Sequence, residues 1–247
     1  MSRTLRLSTE EVLLDTSPIP RSPEWFSAGA SAITLPLQHD SVFEVAEQQQ
    51  GFFTTKQAKA AGFAENTHPY HVQTGNWIRD HRGIYHLALF PSSDRPDLVL
   101  WSLWSRNRKE EIEGVYSHQT ALSLHELSDL NPAKLHMTVP THFRRNSEMP
   151  EIVVLHYADL PATDIEVGPG YKYTRPLRTI LDLIEAGTVE PTFIRQALRQ
   201  AVDRGLITRQ QLRNTKMSEA ARKIAAESPE TPRSRRQLFS PPVLRDI

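Results

Sequence analysis

The chain has no cysteine among its 247 residues. That absence excludes disulfides, thiolate metal sites and cysteine nucleophiles, and it fits a reducing compartment. No window approaches the roughly 18 apolar residues that a bilayer span requires. The N-terminal MSRTLRLSTEEVLLD lacks the apolar run of a secretory leader. A cytoplasmic location with no membrane partner is therefore expected. Also missing are a phosphate-cradling Gly-rich loop and a nucleophile elbow, and Glu166 and Lys172 do not make a compact nuclease-type signature. No enzyme and no cofactor is expected on these grounds.

Net charge is absent too, with 29 Lys+Arg against 29 Asp+Glu. The zero hides an uneven distribution. Residues 40–90 carry 4 basic and 5 acidic side chains, residues 91–171 carry 7 and 12, and residues 172–223 carry 11 and 5. The chain is long enough for two small domains, and a hydrophobic content of 38% with 23% charged residues suits a globular protein.

What is present is concentrated first in residues 51–90. GFFTTKQAKAAG has Thr54 or Thr55 placed to cap a helix that Gly62 closes, with Lys56 and Lys59 on one face. Asn66 to Thr74 predicts a third helix with Pro69 in its first turn, projecting Tyr70, His71 and Gln73 and turning Val72 inward. WIRDHRGIYHL then reads as a hairpin whose tip is Asp80-His81-Arg82-Gly83. A preceding helix, capped by Asp40 or Ser41 and stopped at Gly51, completes the layout. This is the order of a winged helix-turn-helix, whose usual partner is duplex DNA.

Four prolines at 18, 20, 23 and 36 make residues 1–39 an expected partly ordered arm. After Pro91, residues 97–107 predict a helix packing Leu98, Leu100, Trp101 and Trp104. Ser117 is placed to cap HQTALSLHEL. LHMTVP and EIVVLHYADL read as strands, and IEVGPGYKYT as an extended segment. Helices then follow at 174–186, from Pro191, and at TRQQLRN. The tail from 224 to 247 is rich in Pro, Ser and charge. The expected fold is therefore α+β: a winged helix over 40–91, an α/β domain over 92–223, and flexible ends.

Taken together, GFFTTKQAKAAGF, WIRDHRGIYHLALFP, YSHQTALSLHELSDLNPAKLHMTVP and YKYTRPLRTILDLIEAGTVEP with ALRQAVDRGLITRQQL resemble one family. It is the AbiEi-type antitoxins of bacterial abortive-infection (type IV) toxin–antitoxin systems. The resemblance runs from about residue 45 to 215. It implies a DNA-binding first domain that represses its own promoter through inverted repeats. It also implies an antitoxin-type second domain that neutralises a nucleotidyltransferase-like toxin, often without a stable complex. Asp80 departs from the pattern, since similar proteins more often carry an apolar or basic residue at that point of the wing.

The candidate DNA-contact residues are Thr54, Thr55, Lys56 and Lys59, then Thr67, His68, Tyr70, His71 and Gln73, and on the hairpin Arg79, His81 and Arg82. Gln pairs bidentately with adenine, Thr and His reach bases or phosphates, and Arg grips phosphate. The alternative for each is a solvated or packed side chain. His68 and His71 lie three apart, but no suitable carboxylate joins them, so a core or solvated role outweighs a metal. Arg175 and Arg178 sit near a helix start, where cations oppose the macrodipole. Arg195 and Arg199 share a helix face. These four arginines are candidates for toxin neutralisation, or else an ordinary solvated face. Two other roles stay open: a regulator without a toxin partner, and a DNA-acting nuclease.

Overall fold

The computed structural model describes residues 38–91, 94–145 and 148–215 and parts of 218–224. The expected arm and tail fall almost entirely outside the described residues. The first helix, α1 (Gln38–Glu47), starts two residues ahead of the expected cap at Asp40. It buries Val42 and Ala46, one turn apart, against the Phe53 cluster. The chain then reverses through Gly51 at φ +91, where an added Cβ would lie 2.7 Å from the Phe90 ring. Only glycine fits both demands.

Next come β1 (Phe52–Thr54) and α2 (Thr55–Ala60). A capping box opens α2: the Thr54 hydroxyl accepts the Gln57 amide at 3.3 Å, and the Gln57 side chain accepts the Thr54 amide at 2.8 Å. A 3-10 turn (Glu65–Thr67) leads into α3 (His68–Gln73), with Pro69 in its first turn as expected. The hairpin is β2 (Trp77–His81) and β3 (Ile84–Leu87), and β3 lies in the centre of a three-stranded sheet ordered β1-β3-β2.

The hairpin is tighter than the predicted four-residue tip. Strand β2 continues through Asp80 and His81 past a register shift, which leaves Arg82-Gly83 as the turn. The Thr55 amide donates to the Gly83 carbonyl at 3.0 Å, tying the tip to the start of α2. This is a short wing.

The helix α4 (Pro96–Trp104) buries Leu98, Val99, Leu103 and Trp104 and leaves Leu100 and Trp101 half-buried. The buried arc is broader than the predicted stripe because α4 has protein on two sides. Phe52 and Ile84 of the small sheet share one apolar cluster with α4 and with Tyr116, Leu135, Met137, Val139 and Val153. The boundary expected at residue 91 is therefore crossed by a continuous core, and the two halves form one compact unit.

The second sheet has five strands, ordered β6-β5-β4-β8-β7. They are β4 (Val115–Tyr116), β5 (Leu135–Val139), β6 (Val153–Tyr157), β7 (Ile165–Val167) and β8 (Lys172–Thr174). Strands β5 and β6 are parallel, β4 runs antiparallel to β5 and parallel to β8, and β7 and β8 make an antiparallel hairpin. The segment expected to be simply extended is this hairpin.

Ser117 stands at the N-cap of α5 (His118–Leu124), but its hydroxyl does not cap the helix. It bonds the Thr138 hydroxyl at 2.7 Å and the His118 ring at 2.9 Å instead. A separate core joins α5 to α6 (Pro176–Ala186) and α7 (Pro191–Asp203) through Leu122, Ile180, Leu183, Ile194 and Leu198. Helix α6 ends at Gly187 in the left-handed region, as the sequence indicates. A second capping box, Thr208 with Gln211, opens α8 (Arg209–Asn214). No helix among the described residues is long and apolar enough to cross a membrane.

Candidate nucleic-acid interface

Trp77 organises the N-terminal half. It is 2% exposed, and five rings surround it: His71 at 4.5 Å, Phe53 at 4.9 Å, Phe63 at 5.1 Å, His68 at 5.3 Å and Tyr85 at 5.8 Å between centroids. This aromatic packing fixes α3 against the hairpin. A large buried indole with edge and stacked partners is worth several kcal/mol.

That packing also decides which predicted contact residues reach the surface. His68 does not: it is buried, and its Nε2 lies 3.3 Å from the Phe63 carbonyl. His71 is half-buried with its ring stacked flat on Trp77. Thr54 is 8% exposed, and its hydroxyl is committed to the α2 cap and to Glu110 at 3.0 Å. Thr54 and His68 are thus corrected from contact residues to structural ones, and His71 serves chiefly as a packing ring. Both rings of this pair pack on Trp77.

Other candidates do project. Thr67, at the end of the 3-10 turn, and Tyr70 and Gln73 of α3 are exposed, Tyr70 at 62%. Arg79 and Arg82 are exposed on the hairpin. His81 is half-buried against Trp101, 5.4 Å between ring centroids. Burial first, and then Arg145 and Arg79, hold its pKa below the ordinary histidine value. Asp80 is bonded across the hairpin to His86, Oδ2 to Nδ1 2.5 Å.

The predicted lysines are exposed but paired. Lys56 meets Glu110 at 3.0 Å and donates to the Arg108 carbonyl, and Lys59 meets Glu65 at 3.4 Å. Surface pairs of this kind hold little energy and exchange readily for phosphate. Thr55 is half-buried beside the hairpin tip.

In the second half, Arg175 is exposed at the N-cap of α6 and donates to the Ile165 carbonyl at 3.3 Å. Arg178 is not a spare cation. Its Nε lies 2.8 Å from Asp182, which is 6% exposed, and Nη1 lies 3.9 Å from Asp164. Burial lifts the Asp182 pKa to about 6, with Arg178 pulling the other way. The macrodipole argument for Arg178 as a partner-binding residue is therefore corrected: internal carboxylates use it. Arg199 is exposed on α7 and Arg195, on the same face, is half-buried.

One constellation was not foreseen. His118, at the start of α5, stacks on His156 of β6 with centroids 3.6 Å apart, and His136 Nδ1 of β5 lies 3.0 Å from His156 Nε2. Burial is the main cause that drives the His118 pKa down to about 3 and that of His136 to about 4, with His156 also lowered. The three come from distant segments, and the alternation of β5 with β6 was the only sequence signal that could have joined two of them. No group of His, Asp and Glu among the described residues is arranged to hold a metal ion.

No family model matches the chain, and no curated protein matches it. Among solved structures it is similar to the RV2827C protein from Mycobacterium tuberculosis. The TM-score is 0.37 and the sequence identity 16%, over 78% of this chain and 72% of that chain.

Proposed function

We propose that the protein is a sequence-specific DNA-binding regulator of the antitoxin type, acting on the promoter of its own gene. One observation carries the DNA reading. The short helix α3, with Thr67 at its N-cap, presents Tyr70 and Gln73 to solvent while a single aromatic core locks it to a hairpin bearing Arg79 and Arg82. A polar helix face able to read base edges, with flanking guanidinium groups able to hold phosphate, is the division of labour used by helix-turn-helix readers. The face carries few cations, so base contacts have more weight here than phosphate attraction.

The antitoxin part rests on the family resemblance of YSHQTALSLHELSDLNPAKLHMTVP and the segments after it, and its partner is a nucleotidyltransferase-like toxin. Gel-shift titration of the full chain against its own promoter and a scrambled duplex tests the DNA reading. The promoter is expected to bind more tightly, and equal affinity would refute it. Growth rescue on co-expression with the neighbouring gene tests the second part, and failure to rescue with matched protein levels would leave a regulator without a toxin.

A further inference from the structure

A concave site of about 880 Å³ lies between the hairpin tip and the segment 106–110, a size typical of small-molecule sites. Its lining includes six cations and two carboxylates. Lys56 and Arg82 approach from the N-terminal half, and Arg106, Arg108 and Arg145 from the other. One of the carboxylates, Glu110, is already engaged by Lys56 at 3.0 Å, Arg106 at 3.5 Å and the Thr54 hydroxyl at 3.0 Å. Arg82 and Arg108 form no ion pair among the described residues.

Arg106 is the less usual member. Its side chain is 11% exposed: Nη1 meets Glu110 at 3.5 Å, Nη2 donates to the Gln49 side-chain oxygen, and the buried Nε–H finds no acceptor among the described residues. Arg145 is held in place from two directions: its guanidinium lies over the Trp104 ring at 5.2 Å, and its Nη1 donates to the Arg106 carbonyl at 2.6 Å. Burial holds Arg106 below the ordinary guanidinium pKa, whereas Arg145 is exposed. Positioned cations around one concavity focus a positive potential and attract anions. Guanidinium forks match phosphate oxygens bidentately. The cation excess is larger than one phosphate neutralises, and a concave site suits a small ligand better than the convex backbone of a duplex.

We propose that this cleft binds a diphosphate group, as free pyrophosphate or as the polyphosphate of a nucleotide; it shares Arg82 with the hairpin face proposed to hold DNA, while Tyr70 and Gln73 of α3 lie outside its lining. Isothermal titration of the full chain at low chloride, with pyrophosphate, ATP, orthophosphate and sulfate in parallel, tests it. Pyrophosphate and ATP are expected to bind once per chain, with orthophosphate and sulfate at least about tenfold weaker. ATP binding tighter than pyrophosphate would identify a nucleotide as the source, and equal affinities the diphosphate alone. Arg108→Ala and Arg82→Ala should each weaken pyrophosphate about tenfold without changing the melting temperature. The proposal is overturned by no binding of either probe, by sulfate binding as tightly as pyrophosphate, or by wild-type affinity in both alanine variants. Arg108→Ala weakening a scrambled duplex as much as it weakens pyrophosphate would also overturn it, reassigning the cleft to DNA backbone.

Discussion

Acidification should destabilise this protein through its stacked histidines. His118 and His136 titrate near 3 and 4 in the fold but near 6.5 in an unfolded chain. Below pH 6.5 the unfolded state therefore binds protons that the folded state refuses, and stability falls as pH falls until the folded values are reached. At pH 5 each histidine forfeits roughly 1.5 pH units at 1.36 kcal/mol per unit, about 2 kcal/mol, or about 4 kcal/mol for the pair. Asp182 works in the opposite sense. Its folded pKa of about 6 lies above the unfolded 3.8, so it stabilises the fold on acidification by about 1.4 kcal/mol at pH 5. The histidines win, and the net loss is about 2–3 kcal/mol, to which His156 adds. Urea unfolding followed by tryptophan fluorescence at pH 7 and pH 5 measures it. His136→Gln should flatten the pH dependence by removing one of the terms. An unchanged or higher midpoint at pH 5 in the wild type would refute the reasoning.

Gln73→Ala is expected to cost about 1–3 kcal/mol on the promoter and little on random duplex, whereas Arg82→Ala should weaken both alike, since a phosphate contact carries no sequence information; anisotropy titrations on both duplexes compare them. Arg178→Met leaves the buried Asp182 carboxylate without its cation and should destabilise the protein by about 1–3 kcal/mol. Asp182→Asn in the same chain should recover most of that loss in urea melts. A fragment ending at residue 91 is expected not to fold cooperatively, because Phe52 and Ile84 then lose the α4 side of their core; circular dichroism melts check this.

Local signals were legible in the sequence. The Thr54 cap, Pro69 in the first turn of α3, the hairpin and the Gly187 stop all depend on residues a few positions apart, and they stand where expected. What failed depends on distant partners. His68 and Thr54 looked available because nothing local shows that the Trp77 cluster or Glu110 claims them. Arg178 is the exception: its main partner, Asp182, lies four residues on in the same helix, a spacing the sequence does show, and only the weaker contact with Asp164 comes from another element. The core crossing residue 91 could not be seen either, since Pro91 marks a break in chain direction and carries no information about packing. The strand β4, two residues long, is too short to show a period.

DNase I footprinting of the full chain on the promoter region of its own gene tests the central claim most directly. A discrete protected inverted repeat, lost in Gln73→Ala at concentrations where the wild type saturates it, is the predicted result. No protection, or uniform protection along the whole fragment, would contradict sequence-specific binding by α3.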